Sequence, residues 1–204
     1  MKKLTRPLWL MVLLALMAVS SSPATAFEQG DWLMRFGASI VDPKSNNHPV
    51  VSVDSGLSAT FNFSYMMTDN LSVELLAAYP FEHDINLVDG PEVGDTSHLP
   101  PTLSVNYHFL SAGKFQPYVG VGLNYTLFFS ESTKGALEGS DLSLDGSWGL
   151  AAQVGADIPI NDKWFFNVNA RYIDIETDAT LDGADLGAVK IDPWVYGIHL
   201  GFKF

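Results

Sequence analysis

Residues 193–204 read P-W-V-Y-G-I-H-L-G-F-K-F, and this stretch decides the fold class. One alternating set of side chains, from Trp194 to Phe204, is apolar or aromatic, whereas the other, with Gly197, His199 and Lys203, is mostly small or polar. A period of two is the pattern of a β-strand with one apolar and one polar face. In water an edge strand of this kind would aggregate. A closed barrel in a bilayer pairs every backbone group and turns the apolar face to acyl chains.

The same alternation recurs in seven earlier segments, joined by alternately short and long connections. This rhythm predicts an all-β, eight-stranded antiparallel up-and-down transmembrane β-barrel with short periplasmic turns and long extracellular loops. A soluble eight-stranded barrel would instead point its apolar faces inward around a ligand. Tyrosine and tryptophan at the strand ends favour the membrane alternative. The earlier strands are predicted at 32–41, 57–67, 71–79, 102–109, 117–128, 147–158 and 164–173, and the long loops at 42–56, 80–101, 129–146 and 174–192.

The amino terminus has the features of a secretory signal peptide. Lys2, Lys3 and Arg6 precede an apolar core at 8–19, and small residues at 24–26 form a cleavage site. The apolar core is too short to cross a bilayer as a helix. The sequence therefore predicts a cleaved leader at 1–26 and an outer-membrane barrel at 27–204.

Charge and composition exclude several functions. The leader holds three of the 11 Lys and Arg residues and none of the 23 Asp and Glu residues, so its removal takes the net charge from −12 to about −15. Nucleic acid is excluded as a partner, because phosphate binding needs a basic face. The absence of cysteine excludes a disulfide scaffold and thiolate chemistry. We expect an integral protein of the bacterial outer membrane, surrounded by lipid and lipopolysaccharide. Phe204 resembles the carboxy-terminal signal that the barrel-assembly machinery recognises.

Several segments resemble the OmpW family of small outer-membrane barrels, over nearly the whole chain after the leader. The resemblance falls on loops and strands alike, which alternation alone would not produce. It implies an eight-stranded barrel associated, as in the AlkL alkane-uptake branch, with passage of small hydrophobic molecules across the outer membrane. The matching stretches are Y-M-M-T-D-N-L-S-V-E-L-L-A-A-Y-P-F (65–81), H-L-P-P-T-L (98–103), P-Y-V-G-V-G-L-N-Y-T-L-F-F (117–129), D-L-S-L-D-G-S-W-G (141–149) and D-P-W-V-Y (192–196).

Four charged residues of the inward-facing set are expected near the periplasmic end of the lumen: Arg35, Glu74, Asp157 and Lys203. Eight strands leave room only for side chains or one small ligand, so a general aqueous pore is not expected. Unpaired charges in a narrow lumen are costly, and we therefore expect the four to pair and form a polar plug. A structural ion-pair core without a transport role fits the same pattern.

Above this plug the inward-facing set becomes smaller and less polar. We expect an apolar funnel there, overhung by loops, from which a hydrophobic solute leaves sideways into the bilayer. Leu76 is expected at the narrow point, because it is the only large aliphatic residue among the inward residues of its strand. The alternative is that these residues only pack the loops together. The lumen set is Leu76, Ala78, Phe128, Ile173, Arg171 and His199, and the loop set is Phe81, Leu87, Leu99, Phe129 and Leu142.

Other activities find less support in the sequence. The five histidines show no metal-ligand spacing, and no nucleophile can be paired with a base. We therefore expect no catalytic residue, no metal and no cofactor. The acidic fourth loop could bind divalent cations, although an acidic run is more often simply solvated. The competing function is a structural or adhesive barrel that presents acidic loops and transports nothing.

Overall fold

The structure, a computed structural model, describes residues 27–45, 47–109 and 115–204. The predicted leader at 1–26 lies outside the described residues, as do Asn46 and residues 110–114 of one short turn. The strands, numbered along the chain, are β1 (Trp32–Asp42), β2 (Val51–Val53), β3 (Gly56–Met66), β4 (Leu71–Ala78), β5 (Phe81–Leu87), β6 (Glu92–Leu99), β7 (Thr102–His108), β8 (Gln116–Thr133), β9 (Leu142–Leu144), β10 (Ser147–Pro159), β11 (Trp164–Ile173), β12 (Glu176–Leu181), β13 (Ala184–Lys190) and β14 (Trp194–Lys203).

Eight of these strands form a closed antiparallel ring in the order β1, β3, β4, β7, β8, β10, β11 and β14. The ring closes because β14 pairs with β1 from Leu33↔Lys203 to Asp42↔Trp194. Just beyond this ladder, Phe204 and Trp32 exchange two backbone hydrogen bonds of 3.0 Å. The predicted up-and-down barrel is confirmed, and the carboxy-terminal strand seals it. Recognition of Phe204 by the assembly machinery stays a prediction.

The two faces of the barrel wall have opposite polarity. Along β3, Phe61 and Phe63 are exposed on the outside, whereas Asn62 and Ser64 are buried inside. An apolar outside and a polar inside reverse the arrangement of a soluble ligand-binding barrel, as lipid solvation requires. Among the described residues, no helix has the length and apolar character needed to cross a membrane.

The long connections contain strands where loops were expected. β8 continues to Thr133. β5 and β6 form a hairpin between Tyr79 and Pro100, and β6 of this hairpin pairs with β8. β12 and β13 form a second hairpin whose Asp182-Gly183 turn has positive φ at both residues. Asp-Gly in this conformation is a favoured two-residue hairpin turn. Polar residues on the outer faces of these hairpins gave their sequences the composition of loops.

Candidate functional site

The lower lumen contains a buried ion-pair network of Arg35, Glu74, Asp157 and Arg171. Arg35 has no exposed surface and donates from Nε and Nη2 to the two carboxylate oxygens of Asp157, at 3.0 and 2.8 Å. Its Nη1 donates to Glu74 Oε2 at 3.1 Å. Bidentate Arg–carboxylate pairing of this kind is strong and geometrically specific. The network joins β1 to β4 and β10 across the lumen.

Glu74 connects the two arginines of the network. Its Oε1 accepts hydrogen bonds from Arg171 Nη2 at 2.8 Å and from Gln153 Nε2 at 3.0 Å, while Oε2 is bonded to Arg35 and Ser64. All of these groups are buried. Two cations therefore face two anions with their hydrogen bonds satisfied, which is the condition under which charges are tolerated in a narrow interior.

Two predicted residues, Lys203 and Arg171, lie elsewhere than expected. Lys203 lies outside the network, because its Nζ is 3.4 Å from Asp31 Oδ2 at the periplasmic rim and its side chain remains 19% exposed. Arg171, expected in the funnel, is the second cation of the network. Its long side chain reaches down from β11 to Glu74, whereas Lys203 stands at the end of β14, where water is within reach.

An apolar floor lies on the periplasmic side of the network. Phe27, Leu33, Met66 and Phe165 form a buried cluster there. The Arg35 guanidinium lies 5.4 Å from the Phe165 ring centroid, so the floor contacts the network directly. Together the floor and the network fill the lower lumen with buried side chains.

The outer cavity lies among the extracellular strands and has a volume of about 470 Å³. Val50 and Leu186 border it and are 55% and 46% exposed, so it reaches the surface. Its volume is within the range of small-molecule pockets. Most of its lining is apolar, and the lining includes Val53, Ile85, Leu87, Leu142, Leu144 and Val189.

An apolar layer, formed by the buried cluster that includes Phe81, Ile173 and Val195, separates the outer cavity from the network. Phe81 is fully buried in this layer, and its ring stacks on that of His98, which borders the outer cavity. On its other side Phe81 lines an inner cavity of only about 10 Å³, together with Leu76 and Pro100. This inner cavity is large enough for about one water molecule. Phe81 thus stands between the two cavities.

The remaining predicted residues divide between these regions. The outer cavity is lined by Leu87, Phe128 and Leu142. Ile173 belongs to the apolar layer, and Ala78 packs against it. The inner cavity is lined by Leu76 and His199. Two predicted loop residues do not line either cavity. Leu99 pairs with Leu127 and so lies on the face opposite to His98 and Phe128, and the neighbouring Phe129 shares that outward parity.

Other lining residues were not predicted. They include Thr177, Ala179 and Val189 of β12 and β13, Val51 and Val53 of β2, and the histidines His83 and His98. The alternation of Thr177, Ala179 and Leu181 is a strand signal that could have identified β12. Nothing in the sequence brings His83 next to His98, because that contact depends on the register of β5 against β6.

A closed ring of eight antiparallel strands, apolar outside and hydrogen-bonded inside, defines an integral β-barrel of the bacterial outer membrane. The chain belongs to the OmpW family, whose family model matches residues 28–204. The predicted family, fold class and localisation are therefore confirmed.

Relatives cover almost the whole chain. Outer membrane protein W of Vibrio cholerae is 45% identical over 210 residues, which span 94% of this chain and 97% of that protein. The crystal structure of outer membrane protein OprG from Pseudomonas aeruginosa has a TM-score of 0.77 at 34% identity, covering 89% of this chain and 99% of that one. The solid-state NMR structure of outer membrane protein AlkL in lipid bilayers has a TM-score of 0.66 at 25% identity, covering 91% and 95%. The protein is thus a barrel of the OmpW, OprG and AlkL type.

Proposed function

We propose that this barrel takes up small hydrophobic molecules passively, through the outer cavity, and releases them sideways into the bilayer above the ion-pair network. The observation that carries the proposal is the apolar outer cavity, which lies above a buried ion-pair network in the lumen. Transfer of an apolar solute from water into such a lining is favourable by about 25 cal/mol per Å² of buried surface. A concentration gradient then suffices to drive uptake.

A weak point in the barrel wall supports sideways release. Ladder pairs between β4 and β7 end at Leu76↔Thr102, and those between β5 and β6 begin at Phe81↔His98. Between these pairs, within the described residues, no backbone pairing joins residues 77–80 to residues 99–101. Pro80, Pro100 and Pro101 in these two segments have no N–H to donate. The inner cavity lies beside this break, since Leu76, Phe81 and Pro100 line it.

The adhesive alternative is less well supported. An adhesive barrel would present polar, protruding loops, whereas β9, β12 and β13 here form a small sheet whose apolar side chains cover the outer cavity. Leu144 of β9 and Val189 of β13 both line it. Covering apolar surface with dedicated strands is expected of a binding compartment rather than of an adhesive surface.

Substitution of Leu76 tests the proposed route. Leu76→Arg should reduce uptake to the level of cells without the barrel, because a charged side chain would fill the inner cavity, which Leu76 lines while only 4% exposed. Leu76→Met is the matched control and should retain most of the uptake, because it keeps the apolar character and similar volume. The measurement is uptake of a medium-chain alkane by cells with equal amounts of each barrel at the surface.

Two outcomes would contradict the proposal at different points. Equal uptake by the Leu76→Arg and wild-type barrels would remove Leu76 from the route. If wild-type cells took up no more alkane than barrel-free cells, transport itself would be excluded and the adhesive alternative favoured.

A further inference from the structure

The extracellular strands form two sheets above the barrel wall, and each sheet ends in a strand with one free edge. Among the strands described, β2 pairs only with β5 and ends the larger sheet. β13 pairs only with β12 and ends the three-stranded sheet. β2 follows β1 along the chain and β13 precedes β14, while β1 and β14 are neighbours in the wall. The two free edges therefore lie on the same side of the molecule, and we call the gap between them the seam.

The seam is closed at its lower end and open above. Lys190 N donates to the carbonyl oxygen of Asn47 at 3.0 Å, and Asn47 Nδ2 donates to the carbonyl oxygen of Lys190 at 3.0 Å. Asn47 is only 4% exposed, so this link between the two sheets is buried. Farther out, within the described part of the chain, no backbone hydrogen bond joins residues 48–53 to residues 184–189. The seam can therefore widen above Asn47 without breaking a ladder bond of either sheet.

The outer cavity reaches the surface beside this seam. Val50, directly before β2, and Leu186 of β13 both line the cavity, and they are 55% and 46% exposed. The other large apolar side chains that line the cavity, among the residues described, are buried or half-buried. The two exposed members of the lining thus belong to the two sides of the seam. Exposed apolar side chains that continue into a cavity are typical of a ligand entrance.

The second junction between the two sheets, where β8 meets β9, is bridged by the chain itself. Residues 134–141 connect the two strands there, and Lys134 N donates to the carbonyl oxygen of Val93 at 2.8 Å. At the other end of this connection, Asp182 N donates to the carbonyl oxygen of Asp141 at 2.8 Å. Covalent continuity and these bonds hold this junction together, whereas nothing comparable crosses the seam above Asn47.

We propose that the seam between β2 and β13 is the entrance through which hydrophobic solutes reach the outer cavity. This inference rests on the proposed function and names its point of entry. A solute at the surface first contacts Val50 and Leu186, and the apolar lining then continues inward to Val51 and Val53 on one side and to Val189 on the other. Each step removes more apolar surface from water, which favours inward movement.

Thiol adducts on the two sides of the seam test the entrance, because the chain has no native cysteine. Val50→Cys and Leu186→Cys would be made separately and converted on intact cells to glutathione mixed disulfides, which are bulky and charged. Uptake of a medium-chain alkane should fall to the level of barrel-free cells in both treated variants and should recover when dithiothreitol removes the adduct. Glu138→Cys is the matched control, because Glu138 is exposed in the bridged junction and does not line the cavity. Its uptake should be the same with and without the adduct.

A second measurement separates a blocked entrance from a damaged cavity. On the purified barrel in lipid nanodiscs, the adduct on Leu186→Cys should slow association and dissociation of naphthalene by the same factor, so that the dissociation constant stays unchanged. A weaker dissociation constant with an unchanged association rate would make Leu186 part of the binding surface and would overturn its role at the entrance.

The cellular experiment distinguishes failure of this inference from failure of the proposed function. Full uptake by both treated seam variants, or loss of uptake only in treated Glu138→Cys cells, would place the entrance elsewhere and leave hydrophobic uptake intact. If untreated wild-type cells took up no more alkane than barrel-free cells, the proposed function would fail and the entrance with it.

Discussion

Replacing Glu74 with glutamine is expected to lower the free energy of unfolding by about 3–5 kcal/mol. Glu74 is 1% exposed and accepts from both Arg35 and Arg171, at 3.1 and 2.8 Å. Glutamine has nearly the same shape but no charge, so only Asp157 would remain to balance two buried guanidinium groups. Removing one partner from a buried ion pair is much more costly than removing the whole pair, because the remaining charge stays desolvated.

Reversible urea unfolding in detergent or lipid vesicles would measure this loss. Glu82→Gln, at an exposed position of β5, is the matched control and should change stability by less than about 0.5 kcal/mol. Adding Arg171→Leu to Glu74→Gln should restore part of the lost stability, since it removes the uncompensated cation. Equal unfolding free energies for Glu74→Gln and wild type would show that Glu74 does not stabilise the barrel through the network.

Replacing Val121 with arginine is expected to cost about 2–4 kcal/mol, the depth-dependent penalty for a cation on the lipid face near the bilayer midplane. Val121 is 68% exposed on the outer face of β8 and lies midway between Pro117 and Tyr125. Its neighbours in the barrel wall are Val105 of β7 and Ala152 of β10. Its side chain therefore faces only lipid.

Val88→Arg provides the comparison for this substitution. Val88 is 49% exposed near the turn between β5 and β6, beyond the barrel wall, and the same change there should be nearly neutral. Both variants would be unfolded in lipid vesicles under the same conditions. A Val121→Arg barrel as stable as the Val88→Arg barrel would contradict the placement of this face in the bilayer.

The barrel wall could be predicted from the sequence because its signal is local. Each wall strand alternates between lipid and lumen, so Phe61, Asn62 and Phe63 already indicate which way β3 faces. The closure of β14 on β1 follows from the number of strands and from short connections. Strand ends were less well predicted, since β8 extends well beyond the membrane to Thr133.

The site was harder to predict because its contacts are long-range. Whether Arg171 or Lys203 joins Glu74 depends on side-chain reach and on height in the barrel, which alternation does not specify. The outward orientation of Leu99 depends on its pairing with Leu127, a contact between β6 and β8 that the sequence does not specify. The stack of His83 on His98 likewise requires the β5–β6 register.

The central claim is that a hydrophobic solute occupies the outer cavity and stops above the ion-pair network. Intermolecular nuclear Overhauser effects between naphthalene and the wild-type barrel in lipid nanodiscs test this most directly. We expect contacts to the methyl groups of Leu144 and Val189, which line the outer cavity, and none to the Tyr118 ring, which contacts Arg35 in the lower lumen. Contacts to Tyr118, or no contact to Leu144 and Val189 at saturating naphthalene, would contradict the account.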